Sequence, residues 1–209
     1  IVRECLEDLQ IPYTSERGEA AFYGPKVDFQ IRNVIGREET ASTNQLDFLV
    51  ASRFGLKYKG EDGKEHEPYI IHRAPLGTHE RFIAFLIEHF GGAFPTWMAP
   101  VQVRLIPVAE AFVDYAYEIK QMLHTQGFRV QLDDSNDSFG KKIRNAVTSK
   151  IPNMLILGEK EQQSRSITWR RYCKKEQVSM VLDEYISLLK RMRYRRFMDN
   201  FEDLSLPQD

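Results

Sequence analysis

Residues 70–90 read IIHRAPLGTHERFIAFLIEHF, and within this stretch the grammar changes from strand to helix. Ile70-Ile71-His72-Arg73-Ala74 is a short apolar run of the kind that forms a strand. From Thr78 onward Phe82, Phe85, Leu86 and Phe90 recur on one helical face, and Gly91-Gly92 stops that helix. The helix opens at Gly77-Thr78-His79-Glu80-Arg81. A helix start offers free backbone N–H groups and partial positive charge, both suited to anions, and Arg81 adds a planar, permanently charged guanidinium. Taken alone, Glu80 and Arg81 read as solvated residues of a first turn. His72, alone at a strand end, reads as a hydrogen-bonded core or rim residue, since zinc takes about three or four protein ligands.

Working upstream, apolar residues alternate in Val27, Phe29, Ile31 and again in Leu46, Phe48, Val50, with Gly36 between them as a hairpin turn. FGLKY is joined to YIIHRA by a polar loop containing Asp62-Gly63, a strong turn signal. These local turns predict an antiparallel meander with the helix of residues 78–90 packed on it. Phe22-Tyr23-Gly24-Pro25-Lys26 puts a Gly-Pro turn before the first strand, where Tyr23 and Lys26 could face a common cleft; a plain strand-opening turn is the blander reading. IVRECLEDLQ reads as a helix already in progress, with Val2, Cys5, Leu6 and Leu9 at helical spacing, as though the chain starts partway into a domain.

Downstream of Phe94-Pro95-Thr96-Trp97 and Ala99-Pro100 the pattern changes. VQVRLIPV reads as a buried strand, Phe112, Tyr115, Ile119, Met122 and Leu123 as an amphipathic helix ended by Gly127, and FRVQLD as the next strand. Ser138 is placed to cap a helix carrying Phe139, Ile143, Ala146 and Val147. MLILG and SITWRR read as strands, and a last helix is expected from about Ser179 to Phe197. Strands alternating with helices predict an α/β domain with a mostly parallel or mixed sheet. DNFEDLSLPQD, acidic and without helical period, reads as a mobile tail. The expected division is therefore 1–98, 99–199 and a tail of 200–209.

Composition is that of an ordinary globular chain, with 42% hydrophobic and 28% charged residues over 209 positions. No apolar run approaches the roughly 18 residues that cross a bilayer, and the start lacks a basic region followed by an apolar one. Cys5 and Cys173 suggest no disulfide framework, which fits a reducing cytoplasm. Residues 1–98 carry 11 Lys/Arg against 15 Asp/Glu, and the remainder 18 against 15. The basic second half points weakly to nucleic acid; a solvated surface explains it too. No Walker loop, Rossmann glycine pattern, HExxH or CxxC is present.

Read together, GEAAFYGPKVDF, NQLDF and IIHRAPLGTHERFIAFLIEHFGGAFPTWMAPVQV closely resemble the catalytic domain of the threonyl-tRNA synthetase family. Gly-x-x-Glu-Arg at residues 77–81 resembles motif 3 of class II aminoacyl-tRNA synthetases. The continuation from APVQV resembles the anticodon-binding domain shared with the prolyl, histidyl and glycyl enzymes. The resemblance runs from about Glu19 to Arg196. It implies a partial, antiparallel-sheet class II catalytic core (α+β) followed by an α/β anticodon-binding domain with a mixed sheet.

By that resemblance Arg81 grips the terminal phosphates of ATP, held with Mg2+, while the threonine carboxylate attacks the α-phosphorus. Lys26 is implied near the nucleotide and Tyr23 near the amino acid, with Gln45 and Thr78 lining the same cleft. His72 matches a zinc ligand of the family, where zinc holds the amino and hydroxyl groups of threonine. Shape alone would reject an isosteric side chain only about a hundredfold. Glu161 in GEKE and Arg170 in SITWRR fall where the family reads anticodon bases, and a surface-charge reading stands level with it. Lys190, Arg191, Arg193, Arg195 and Arg196 could contact RNA phosphate, or form a solvated helix face.

The family's other two zinc ligands, motif 1 with its dimer interface, motif 2 and the editing domain have no counterpart in these residues. Glu39-Thr40-Ala41-Ser42 stands where many members carry a tryptophan–glutamine pair, whose glutamine approaches the nucleotide; Thr40 is shorter. The resemblance thus implies a threonine–tRNA ligase in the form of a piece that is inactive alone, with threonine tRNA as partner and a homodimer for the full-length enzyme. The rival is a non-catalytic RNA-binding or regulatory protein with a degenerate synthetase core. Retention of Tyr23, Lys26, Gln45, His72, Thr78 and Arg81 speaks against drift.

Overall fold

The computed structural model describes residues 2–172 and 174–199. Expectations about Cys173 and the tail of residues 200–209 fall outside them. Two compact units divide between His89 and Phe90. No helix among the described residues is long and apolar enough to cross a membrane.

The first unit opens with helix α1 (Val2–Asp8), which buries no residue. Strands β1 (Lys26–Arg32) and β2 (Glu38–Asp47) form the expected hairpin. Its turn closes through Asn33 N–H to the Arg37 carbonyl, with Gly36 at φ +82°, a conformation glycine adopts without strain. The register slips by one residue between Phe29 and Gln30, so that Gln30 faces Thr40. β5 (Ile70–Ala74) pairs antiparallel on the other side of β2, giving the order β1-β2-β5.

Two local readings are corrected. Asp62-Gly63 does not lead FGLKY into a pairing with YIIHRA. It closes a separate two-residue hairpin of β3 (Tyr58–Lys59) and β4 (Glu65–His66), and Pro68, lacking an N–H, interrupts the ladder before β5. The alternation Leu46-Phe48-Val50 does not continue as strand either. The Asp47 carboxylate accepts the N–H groups of Leu49 and Val50 and starts the short helix α2 (Val50–Arg53). Helix α3 (His79–Phe90) matches its expected span, buries Phe85 and Phe90, and ends at Gly91 and Gly92, both with positive φ.

The second unit is a five-stranded mixed sheet ordered β10-β9-β8-β6-β7. β6 (Val103–Pro107) runs parallel to β7 (Val130–Leu132) and β8 (Asn153–Leu157). β9 (Ser166–Arg171) and β10 (Gln177–Val181) continue antiparallel. A 3-10 turn at Glu110–Phe112 leads into α4 (Val113–Thr125), and α5 (Phe139–Thr148) joins β7 to β8. α4 and the last helix, α7 (Leu182–Arg195), cover one sheet face. There Tyr115, Ile119, Leu123, Tyr185, Leu189 and Met192 meet Leu105, Leu155, Leu157 and Trp169. α5 covers part of the other face with Ala146 against Ile106 and Met154. The inner strands β6 and β8 are buried along almost their whole length, which is why they read as unbroken apolar runs.

Ser138 occupies the position before α5, but its side chain makes no cap bond; its carbonyl receives the Lys141 and Lys142 N–H groups instead. The last helix begins at Leu182 rather than Ser179, because residues 177–181 form β10. Helix α6 (Glu159–Ser164) was not expected at all. It carries no buried residue, so it has no apolar period to announce it.

Candidate functional site

In the first unit three strands place Lys26, Gln45 and His72 in one register row: Lys26 opposite Gln45 on β2, and Gln45 opposite His72 on β5. Residues directly opposite in a sheet share a face. Tyr23 joins them from the preceding turn. Its hydroxyl donates to Gln45 Oε1 at 2.6 Å, and its ring stands edge-on to the His72 imidazole, centroids 5.6 Å apart. Lys26 pairs with Asp28 at 2.9 Å, and Thr43 donates to the same carboxylate. Hydrogen bonding and attraction from Asp28 raise the Lys26 pKa. Burial pushes Asp28 up, but bonds from Thr43 and Lys26 outweigh it and leave the carboxyl below its usual value.

Thr40 lies farther along this face, its hydroxyl exchanging hydrogen bonds with the Gln30 amide at 3.0 and 3.2 Å. Thr78 Oγ1 accepts the Arg81 N–H at 3.3 Å, closing the first turn of α3. The loop before that turn passes β2 closely enough that a Cβ on Gly77 would stand 3.6 Å from the Ala41 carbonyl oxygen. Arg81 is exposed, and no hydrogen bond or ion pair from its guanidinium appears among the described residues. The structure thus gathers Tyr23, Lys26, Gln45 and His72 into one group. It sets Thr40 beside Gln30, and Thr78 and Arg81 at the helix entrance; among the described residues no hydrogen bond, ion pair or ring contact links Arg81 to His72.

Asp47 is the residue that sequence reasoning missed. It is fully buried, and its Oδ2 lies 2.8 Å from His72 Nε2. Burial raises its pKa, but bonds from His72, Val50 and Leu49 outweigh that, and the carboxyl is lowered. Its signal was a lone carboxylate in the apolar run LDFLV. His72 offers a single imidazole, and no group of three His, Cys, Asp or Glu that could hold a metal occurs among the described residues. Zinc, which needs about three protein ligands, is not accommodated by this set alone.

Gly24 sets the geometry of the turn. Its φ is +154°, and a Cβ built there would lie 2.0 Å from the Leu46 carbonyl oxygen. The flanking backbone is pinned to β2 by Phe48 N–H to Tyr23 O and Leu46 N–H to Pro25 O, both 3.0 Å. Gly24→Ala must therefore push the turn off β2. The expected outcome is a loss of about 2 kcal/mol or more, together with the Tyr23–Gln45 bond. Urea unfolding followed by circular dichroism, and the phenol hydroxyl signal in NMR, would check it.

In the second unit Glu161 and Arg170 are both half-buried, Glu161 on α6 and Arg170 on the adjoining β9. Glu161 Oε2 accepts the Gly158 N–H at 3.0 Å and Oε1 the Thr168 hydroxyl at 2.8 Å. Thr168 also bonds Ser179 across the ladder, and Arg170 stands two residues on, opposite Gln177, with Nε donating to the Lys174 carbonyl. Of the basic residues on α7, Arg193 is committed to the Gln126 and Gly127 carbonyls, with its guanidinium 4.4 Å from the centre of the Phe128 ring. Arg196 lies over Trp97 at 5.9 Å. Lys190, Arg191 and Arg195 remain exposed.

A family described as the class II tRNA synthetase core domain (G, H, P, S and T) matches residues 1–90, and one described as an anticodon binding domain matches residues 102–192. A protein of Geobacillus kaustophilus (strain HTA426) named threonine–tRNA ligase is 53% identical over 190 residues, covering 90% of this chain and 29% of that protein. Proteins of the same name from Oceanobacillus iheyensis and Listeria monocytogenes serotype 4a are each 49% identical, covering 91% and 90% of this chain and 30% and 29% of their own. The chain spans about three tenths of the length of these relatives. The crystal structure of the RNA binding domain of threonyl-tRNA synthetase from Cryptosporidium parvum Iowa II superposes with a TM-score of 0.86 at 34% identity. That match covers 91% of this chain and 48% of the other.

Proposed function

This chain belongs to the threonyl-tRNA synthetase family, carrying part of its class II core and its anticodon-binding domain, and from that premise we propose that it serves ATP-dependent attachment of threonine to its tRNA. The observation that carries the reading is the Tyr23–Lys26–Gln45–His72 group on one sheet face, with Thr78 and Arg81 at a helix entrance of the same unit. Residues 1–98 are assigned to the catalytic domain and 99–199 to anticodon binding.

In this reading Arg81, an exposed guanidinium among free N–H groups, holds the terminal phosphates of ATP, which arrives with Mg2+. Fixing the triphosphate lets the threonine carboxylate attack the α-phosphorus as pyrophosphate leaves. Lys26, its charge steadied by Asp28, faces the nucleotide. Tyr23 and Gln45, already bonded to each other, orient the amino acid. Thr40 stands at the position of the family's nucleotide-facing glutamine, shorter than it and bonded to the Gln30 amide across the strand. His72 would supply one ligand to a zinc ion, which would bind the amino and hydroxyl groups of threonine only together with ligands beyond the described set. The full-length enzyme is read as a cytoplasmic homodimer.

Glu161 and Arg170 take anticodon bases in this proposal. Glu161 has given one lone pair on each oxygen to the fold and accepts from a base with the others. The test uses the chain itself with a threonine anticodon stem-loop. Binding is expected to be weak but selective over an unrelated anticodon, and Arg170→Ala should weaken it about tenfold, as loss of one base-edge contact does. Equal binding of both stem-loops would overturn the assignment. The isolated chain is expected to show no threonine-dependent pyrophosphate exchange, and robust exchange would overturn the reading of it as a partial core.

A further inference from the structure

We propose that Asp47 is a positioning residue that fixes His72 as its Nε2–H tautomer, leaving the Nδ1 lone pair as the one the site can use. The proposal deepens the reading of His72 as a site residue. Asp47 is fully buried, so both carboxylate oxygens must be satisfied by the protein. Oδ1 receives the N–H groups of Leu49 and Val50 at 2.8 and 2.9 Å, where the chain leaves β2 for α2. Oδ2 faces His72 Nε2 at 2.8 Å. An ionised carboxylate only accepts, so the hydrogen in this contact belongs to the ring. In neutral imidazole one nitrogen donates and the other accepts, and the lone pair therefore falls to Nδ1.

The ring is also held against turning over. A flipped imidazole would present carbon to Oδ2 and strand a buried oxygen without a donor. Tyr23 stands edge-on to the ring and is itself tied to Gln45, opposite His72 on β2. The His72 side chain is 45% exposed, so the ring is anchored at Nε2 by a buried carboxylate while part of it remains accessible. No hydrogen bond to Nδ1 appears among the described residues. A carboxylate that anchors one nitrogen of an accessible histidine sets its tautomer and orientation. His66 makes a superficially similar contact with Asp62 at 2.9 Å, but both partners are exposed and water competes for them.

The test needs neither metal nor activity. The whole chain, labelled with 15N at histidine, is examined at mildly alkaline pH by long-range 1H–15N correlation, with His72→Gln assigning the ring. His72 is expected to show the Nε2–H pattern in the unsubstituted chain. In Asp47→Asn, whose amide can turn an N–H toward the ring, the pattern is expected to shift toward Nδ1–H. A predominantly Nδ1–H ring or an even mixture in the unsubstituted chain overturns the proposal, as does an unchanged pattern in a folded Asp47→Asn chain. Should that variant not fold, the unsubstituted spectrum decides alone. Because the readout is a tautomer, its outcome is separate from whether the chain serves threonine activation.

Discussion

A full-length threonine–tRNA ligase carrying this segment with Arg81→Ala is expected to lose about two to three orders of magnitude in kcat/KM for ATP in threonine-dependent pyrophosphate exchange. Arg81 is exposed at the first turn of α3, where no carboxylate pairs with its guanidinium among the described residues. An unpaired guanidinium beside free helix N–H groups is already arranged for phosphate and reorganises little as charge develops. Arg81→Lys should recover only a small part. An ammonium supplies charge but not the planar fork that grips two phosphate oxygens together. The fold should not notice either change, since the α3 cap uses Thr78 Oγ1 and the Arg81 backbone N–H, which both variants keep. An unaltered kcat/KM with intact folding would remove Arg81 from the nucleotide site.

The second large effect lies far from any chemistry. Asn153→Leu is expected to destabilise the second unit by about 3–5 kcal/mol, because it orphans several buried polar groups at once. Asn153 is fully buried on β8. Its amide donates to Thr96 Oγ1 at 2.7 Å and to the Gln102 carbonyl at 2.9 Å, and its oxygen receives the Trp169 indole N–H at 2.9 Å. Thr96 in turn donates its N–H and hydroxyl to Asp199 at 2.9 and 2.7 Å, and Gln102 donates to the Thr96 carbonyl. One side chain thus couples the segment ahead of the sheet, the sheet, and the residues after α7. Leucine fills a similar volume but satisfies none of these groups. Both tryptophans, Trp97 and Trp169, lie in this unit, so fluorescence during urea unfolding reports it specifically. Adding Trp169→Phe, followed by circular dichroism, should recover part of the loss, since it deletes one orphaned donor. A cost below about 1 kcal/mol would mean that the network contributes little beyond ordinary net hydrogen bonding.

The group that holds the candidate site illustrates how far residue patterns reach. Tyr23, Lys26, Gln45 and His72 are implied as site residues by family resemblance, and register puts three of them in one row. Asp47 is not, although it stands two residues from Gln45. Its role exists only because β5 returns beside β2, bringing His72 across 25 positions of chain. Glu161, implied as a base reader by family resemblance, also carries a structural partner at each oxygen that residue pattern does not announce, the Gly158 N–H and the Thr168 hydroxyl. The Arg193 guanidinium likewise meets the Gln126 and Gly127 carbonyls in the turn after α4.

Local order alone determined the two-part architecture, the helix of residues 79–90, and the buried strands β6 and β8. Apolar period and turn residues are written within a few positions of one another, and burial rewards them wherever the chain goes. Tertiary structure decided what local order left open: that β5 pairs with β2, that residues 177–181 are a sheet edge and not a helix start, and that Asp47 anchors His72. Those outcomes depend on hydrogen-bond partners far away in the chain, and a backbone or carboxylate carries no local mark of the partner it will meet.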